Sequence, residues 1–255
     1  MISFRTLHML FCRVIKNLEA GKMHKDWRKL LDRRNLELWN YLLKQYKIHL
    51  KKSSEQNYIT RYTNDTVTIC INEDNIHPAP FTHELLHIYL KVKKILIASD
   101  FINKIEQYPQ LYFLFSNSLK NHIGNCMEHS KILPIFIKLD FKREDFVSDY
   151  DEIIMDEEQM EKLELDFLKD NIYSRQAIDV YIGKFFSIKS NSNEQYDYQT
   201  YLNAFEKLEP SLFKILNIFW TNWSQFDIEN ADGYENFLDV FLKNLNKWMQ
   251  QETVI

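Results

Sequence analysis

The 255 residues predict a predominantly helical α+β fold, and three observations carry that prediction. With 4 Gly and 5 Pro, the chain has too few turn residues for a many-stranded sandwich or barrel. Apolar residues recur at helical spacing along most of its length. One stretch, NYITRYTNDTVTICIN, alternates instead, which is the period of a half-buried strand.

The elements follow in order. MISFRTLHMLFCRVI is apolar but broken by Arg5, His8 and Arg13 and has no small-residue cleavage site. It reads as an amphipathic helix and not as a signal peptide. From Asp26 to about Leu50, the residues Leu30, Leu31, Leu38, Tyr41, Leu42 and Tyr46 predict one long amphipathic helix. Strands are expected over 57–63 and 66–72, joined by a turn at Asn64–Asp65, with Val67, Ile69 and Ile71 on one face. NEDNIHPAP reads as a loop, because Pro78 and Pro80 bar regular structure. A helix then spans about Phe81 to Ile97, and another about Asn121 to Leu133, stopping before Pro134. Further helices are expected over 157–170, 174–187, 197–208, 211–225 and 234–250, with loops at SNSNEQ (190–195) and Asp232–Gly233.

The length suits a core of residues 1–150 followed by a helical subdomain, 151–255, that forms one wall of a cleft. The C-terminal aromatics fall at helical spacing and are expected to pack as core. Net charge is −4, so no nucleic-acid partner is expected of the whole chain. Residues 1–52 hold 13 Lys/Arg against 4 Asp/Glu, and residues 140–170 hold 4 against 13. These are either complementary solvated faces or a basic face for an acidic partner. Three widely spaced cysteines, Cys12, Cys70 and Cys126, do not make a disulfide framework. No window carries a membrane-length apolar run. A cytoplasmic protein without a membrane partner is expected.

FTHELLHIYL, Phe81 to Leu90, contains the chemistry. On a helix His83 and His87, four apart, present both imidazoles to one point, and neutral imidazole is a good zinc ligand. Glu84 lies about 100° round the helix from His83. That places it beside a metal, where it can act as general base on a water that zinc has acidified. The alternative is a core helix whose histidines are satisfied by backbone or solvent.

HELLH after a strand resembles the zincin metallopeptidases. The residues after His87, IYLKVK, lack the glycine and third histidine of the metzincin branch. The resemblance is therefore to the gluzincins, where a glutamate on a later helix completes the metal site. It covers about 57–135. The order of N-terminal helix, strands, motif helix and glutamate helix is similar to the small intracellular IrrE/ImmA-like peptidases, although their Ala-rich segment after the glutamate helix is missing.

SLKNHIGNCMEHSKILP is where a third ligand is sought. Glu128 gives a His-His-Glu site with an open position, leaving His129 behind it or on the oxyanion. His129 gives a three-histidine site instead. Asp149 and Asp151 are further candidates, and Tyr150 and Tyr173 are alternatives for the oxyanion. Cys126 reads as a small buried hydrophobe and His122 as an ordinary surface or core histidine. TVTICIN offers a strand edge to which an extended peptide can add.

The expectation is zinc-dependent hydrolysis of a peptide bond in an intracellular protein or peptide. His83, His87 and Glu128 hold the metal, Glu84 is the base and His129 assists. The alternatives are a zincin scaffold retained for interaction without turnover, and a zinc hydrolase of a non-peptide substrate.

Overall fold

The computed structural model describes residues 25–63, 65–169, 172–229, 233–252 and 254. The N-terminal amphipathic helix, Cys12, Asn64 and Asp232 lie outside the described residues. The chain divides into two compact units between Phe81 and Thr82, and the 150/151 boundary drawn from the sequence falls inside the second.

In the first unit the long helix expected over 26–50 is replaced by three elements. A 3₁₀ turn covers Lys25–Leu30, α1 covers Leu36–Leu42 and a strand, β1, covers Lys47–Ser53. The break falls where polar side chains compete with the backbone for hydrogen bonds. Asp32 Oδ1 accepts from the Arg34 amide at 2.8 Å. The buried Asn35 side chain accepts from the Asp32 amide at 2.9 Å and donates to Leu30 O at 2.8 Å. Helical spacing on both sides of this knot imitates one continuous helix.

β2, Ile59–Thr63, and β3, Thr66–Asn72, form the expected hairpin. β1 pairs parallel with β3 from Lys47↔Thr66 to Ser53↔Asn72, so the strand order is β1-β3-β2. Val67, Ile69 and Ile71 are fully buried, which accounts for the alternation in the sequence. The substrate edge expected at TVTICIN is corrected by this topology: β3 is central, and β1 and β2 take its main-chain groups on both sides.

α2 spans Pro78–Val92 and carries the HELLH motif. It starts earlier than expected, because proline is tolerated in a first turn whose amides have no helical acceptor. It ends earlier as well. Lys94 adopts φ 60°, with its amide on Lys91 O and that of Ile95 on Leu90 O, both at 2.9 Å, a left-handed helix stop.

The second unit continues with α3 (Ile97–Ile105), α4 (Pro109–Leu114) and α5 (Asn117–Lys138). A 3₁₀ turn follows at Arg143–Asp145, then α6 (Glu157–Phe167), a two-stranded ribbon of β4 (Leu168–Lys169) and β5 (Ile172–Tyr173), and α7 (Arg175–Lys189). α8 (Gln199–Leu208), α9 (Pro210–Gln225) and α10 (Tyr234–Gln251) complete it. α3, α4 and the ribbon were not anticipated, while α6 to α10 lie close to their expected bounds.

α5 is the central element, packed against α3, α7 and α9. Gly124 permits the closest approach: a Cβ there would stand 2.7 Å from the Ala98 Cβ. The stop expected before Pro134 does not occur, and α5 runs on to Lys138. Proline removes the bond to the Ser130 carbonyl and crowds that oxygen, but the helix continues to Phe136 beyond it, which is fully buried. The C-terminal aromatics form core as expected, with Phe185, Phe205, Phe219 and Trp223 essentially inaccessible and Phe219 stacked on Phe241 at 4.2 Å between centroids. Among the described residues no helix is long and apolar enough to cross a membrane.

Candidate metal centre

α2 and α5 bring three histidines together. The ligand atoms of His83, His87 and His129 all lie within 4.8 Å of one another, and among the described residues this is the group able to hold a metal ion. His83 and His87 meet through Nε2 atoms 3.1 Å apart. Two nitrogens bound tetrahedrally to one zinc stand roughly 3.3 Å apart, given bonds of about 2.05 Å. The His129 ring lies 4.8 Å from that of His83 and 5.3 Å from that of His87, centroid to centroid.

Glu128 takes a different position from the one expected of a ligand. Its Oε2 accepts from His87 Nδ1 at 2.6 Å, on the side of the ring away from His83. A carboxylate on Nδ1 fixes the proton there and turns the Nε2 lone pair toward the cluster. Neighbours on a helix diverge by about 100°, and here Glu128 and His129 serve two different atoms of the site.

The surroundings are apolar. Phe146, just after the 3₁₀ turn at Arg143–Asp145, sets its ring 4.7 Å from His83 and 5.3 Å from His129. Phe136 and Phe141 continue this wall. No sequence pattern singled out Phe146, because it comes from a loop without periodicity. His83 Nδ1 is buried and short of hydrogen-bond geometry, although the Phe146 main chain beside it favours a proton there.

Electrostatics separates the three rings. Burial, reinforced by the neighbouring His129 and His87, holds His83 well below the usual histidine range. Burial and the same kind of repulsion bring His129 down to about 3. Burial also opposes charge on His87, but the Glu128 hydrogen bond and the charges of Glu128 and Glu84 outweigh it and raise its pKa. Two of the three donors are thus kept neutral with free lone pairs. Glu84 is nearly buried, one residue along α2 from His83.

The other sequence candidates lie elsewhere. Asp149 and Asp151 are not in the gathered group. Tyr173 gives its hydroxyl to Glu209 at 2.7 Å. His122 Nε2 lies 2.7 Å from Ser187 Oγ and 3.5 Å from the Cys126 sulfur. Cys126 is buried, which pushes its thiol up to about 11, as an inert hydrophobe requires. Cys70 and Cys126 are both free. No family model, curated protein or solved structure matches the chain.

Proposed function

We propose that the chain is a zinc-dependent hydrolase acting on a protein or peptide, with the metal held by His83, His87 and His129. The convergence of the three imidazoles carries this reading. In it Glu128 is the hydrogen-bond partner of His87, in place of the ligand role the gluzincin resemblance implies.

The residues present fit such a group. Three nitrogen donors suit a borderline-soft divalent ion and leave a fourth position open. The two Nε2 lone pairs of His83 and His87, 3.1 Å apart, repel each other unless a proton or a cation lies between them. Zinc bound here would supply Lewis acidity, acidifying water and polarising a carbonyl.

The protein's own residues do the rest. Glu84 takes the proton of the attacking water and passes it to the departing amine as the peptide C–N bond breaks. Glu128 holds the His87 ring in one tautomer and orientation. Phe146 excludes bulk water from one side, which strengthens each electrostatic interaction inside.

The test is zinc content and hydrolysis of wild type against Glu84→Gln. The variant should keep about one zinc per chain. It should trap proteins that wild type cuts, with turnover lowered on the order of 10²–10⁴-fold. Purified protein that is metal-free and refuses added zinc overturns the proposal.

A further inference from the structure

The turn of α5 that carries Glu128 and His129 is bonded on both sides to the end of α9. Before the pair, the Met127 carbonyl accepts from Trp223 Nε1 at 3.0 Å and from Ser130 Oγ at 2.7 Å. After it, Ser130 Oγ is itself 3.0 Å from Trp223 Nε1. One residue further, Lys131 Nζ donates to the carbonyls of Ser224 at 3.1 Å and Phe226 at 2.7 Å. These carbonyls are at the C-terminal end of α9, where a cation is favoured by the helix dipole. The same ammonium sits 5.0 Å from the Trp223 ring.

That stretch of chain also reaches α2. Glu229 accepts from the Tyr89 hydroxyl at 2.9 Å, on the part of α2 that follows His87, and from Lys93 Nζ at 2.5 Å, one residue past the end of that helix. Each helix that supplies nitrogens to the histidine cluster is therefore tied to Trp223–Glu229. Buried contacts hold the α5 end, where Trp223 is inaccessible and Lys131 nearly so, and exposed ones hold the α2 end. A lysine buried this far needs a reason, since its ammonium gives up hydration and gains two carbonyls in return.

We propose that Trp223–Glu229 is a clasp setting the spacing and rotation of α2 and α5, and that Trp223 and Lys131 are positioning residues for the metal centre. The inference rests on reading the three histidines as that centre. Neither residue touches the ion. They act by fixing the α5 turn between them, so that the His129 nitrogen and the Glu128 carboxylate meet α2 together. Zinc-site partners of this kind change affinity because ligands that must be moved into place cost binding free energy.

The experiment titrates the metal-free, full-length chain with Zn²⁺ against a chromophoric chelator, and with Co²⁺ to read the ligand-field spectrum. Trp223→Phe keeps an aromatic ring, though a smaller one, and loses the N–H; Lys131→Met keeps an apolar stem and loses the charge. Each should weaken zinc binding about tenfold and alter the Co²⁺ band intensity. Lys131→Arg should restore most of the affinity, and Glu229→Gln should lower it about twofold, as expected of an exposed ion pair. Folded Trp223→Phe protein with wild-type affinity and an unchanged Co²⁺ spectrum overturns the clasp, whatever happens to its melting temperature. If neither buried variant folds, Glu229→Gln decides, and unchanged affinity there overturns it. Wild-type protein that binds neither ion overturns the metal centre and the clasp with it, whereas binding that is blind to the variants overturns the clasp alone.

Discussion

His83 and His87 come from a single turn of α2, whereas His129 comes from α5 beside Glu128, which points at a different atom. On α2 the helix repeat alone stacks the two rings, and their Nε2 atoms meet at 3.1 Å. On α5 nothing local distinguishes the two neighbours. The packing of α5 against the rest of its unit turns His129 into the cluster and sets Glu128 against His87 Nδ1 at 2.6 Å. Half of the site is thus a property of sequence spacing, and the other half a property of tertiary structure.

The largest expected effect is one that would break this division of labour. His129→Ala should lose stoichiometric zinc at micromolar metal, as His83→Ala should, because each removes a nitrogen from the group. Glu128→Gln should retain zinc with affinity lowered about 10–100-fold, because it removes only the carboxylate behind His87. Isothermal titration of the variants decides between the two roles. If Glu128→Gln abolishes binding and His129→Ala leaves it intact, the assignments are reversed.

A second comparison sets the dry rings against the paired one in metal-free protein. His83 and His129 have pKa values lowered by burial. A lowered folded-state pKa contributes stability above the unfolded value of about 6.5, and that contribution is lost as pH falls toward the folded value. For His129 the window runs from about 6.5 to about 3. His87 works in the opposite sense: its raised pKa contributes below about 6.5 and is lost as pH rises through the folded value. His129→Gln should therefore gain stability relative to metal-free wild type as pH falls from 6.5 toward 4. Urea midpoints measured across that range check it, and a difference independent of pH would sink the assignment.

How α5 is seated against α3 is the next point to test. Gly124→Ala places a methyl 2.7 Å from the Ala98 Cβ and 3.1 Å from its Cα, so the backbones must part. Overpacking of this kind costs about 1–3 kcal/mol. Denaturant unfolding should show that loss, and zinc affinity should fall with it because α5 shifts as a body. No comparable substitution exists within the 83–87 turn, where both rings share one helix.

What the sequence disclosed follows the same line. The i, i+4 histidines, the alternation of Val67, Ile69 and Ile71 and the helices α6 to α10 were legible because each rests on local period. The strand β1 was not, because KIHLKKS alternates weakly and its partner is decided by a parallel crossover. Nor was which of Glu128 and His129 turns toward the other two histidines, since a difference of one residue carries no information about which side α2 approaches from. The contacts of Phe146, Lys131 and Trp223 were invisible for the same reason: they form only once α5, α9 and the loop after α5 are packed.

The smallest effect concerns how the two helices begin. α2 opens on prolines, whereas α5 opens on Ser116, whose Oγ accepts from the Leu119 amide at 3.0 Å and donates to Asp179 Oδ2 at 2.7 Å. Ser116→Ala removes a cap and should cost about 0.5–2 kcal/mol by chemical denaturation. It also leaves the Asp179 carboxylate without that donor, which places the loss toward the upper end of the range. Zinc affinity should not change, because the cap lies more than three turns from His129 along α5, and frayed ends do not propagate through a packed helix. An affinity that falls with the stability would show instead that α5 holds its ligand only as a whole, from its first turn onward.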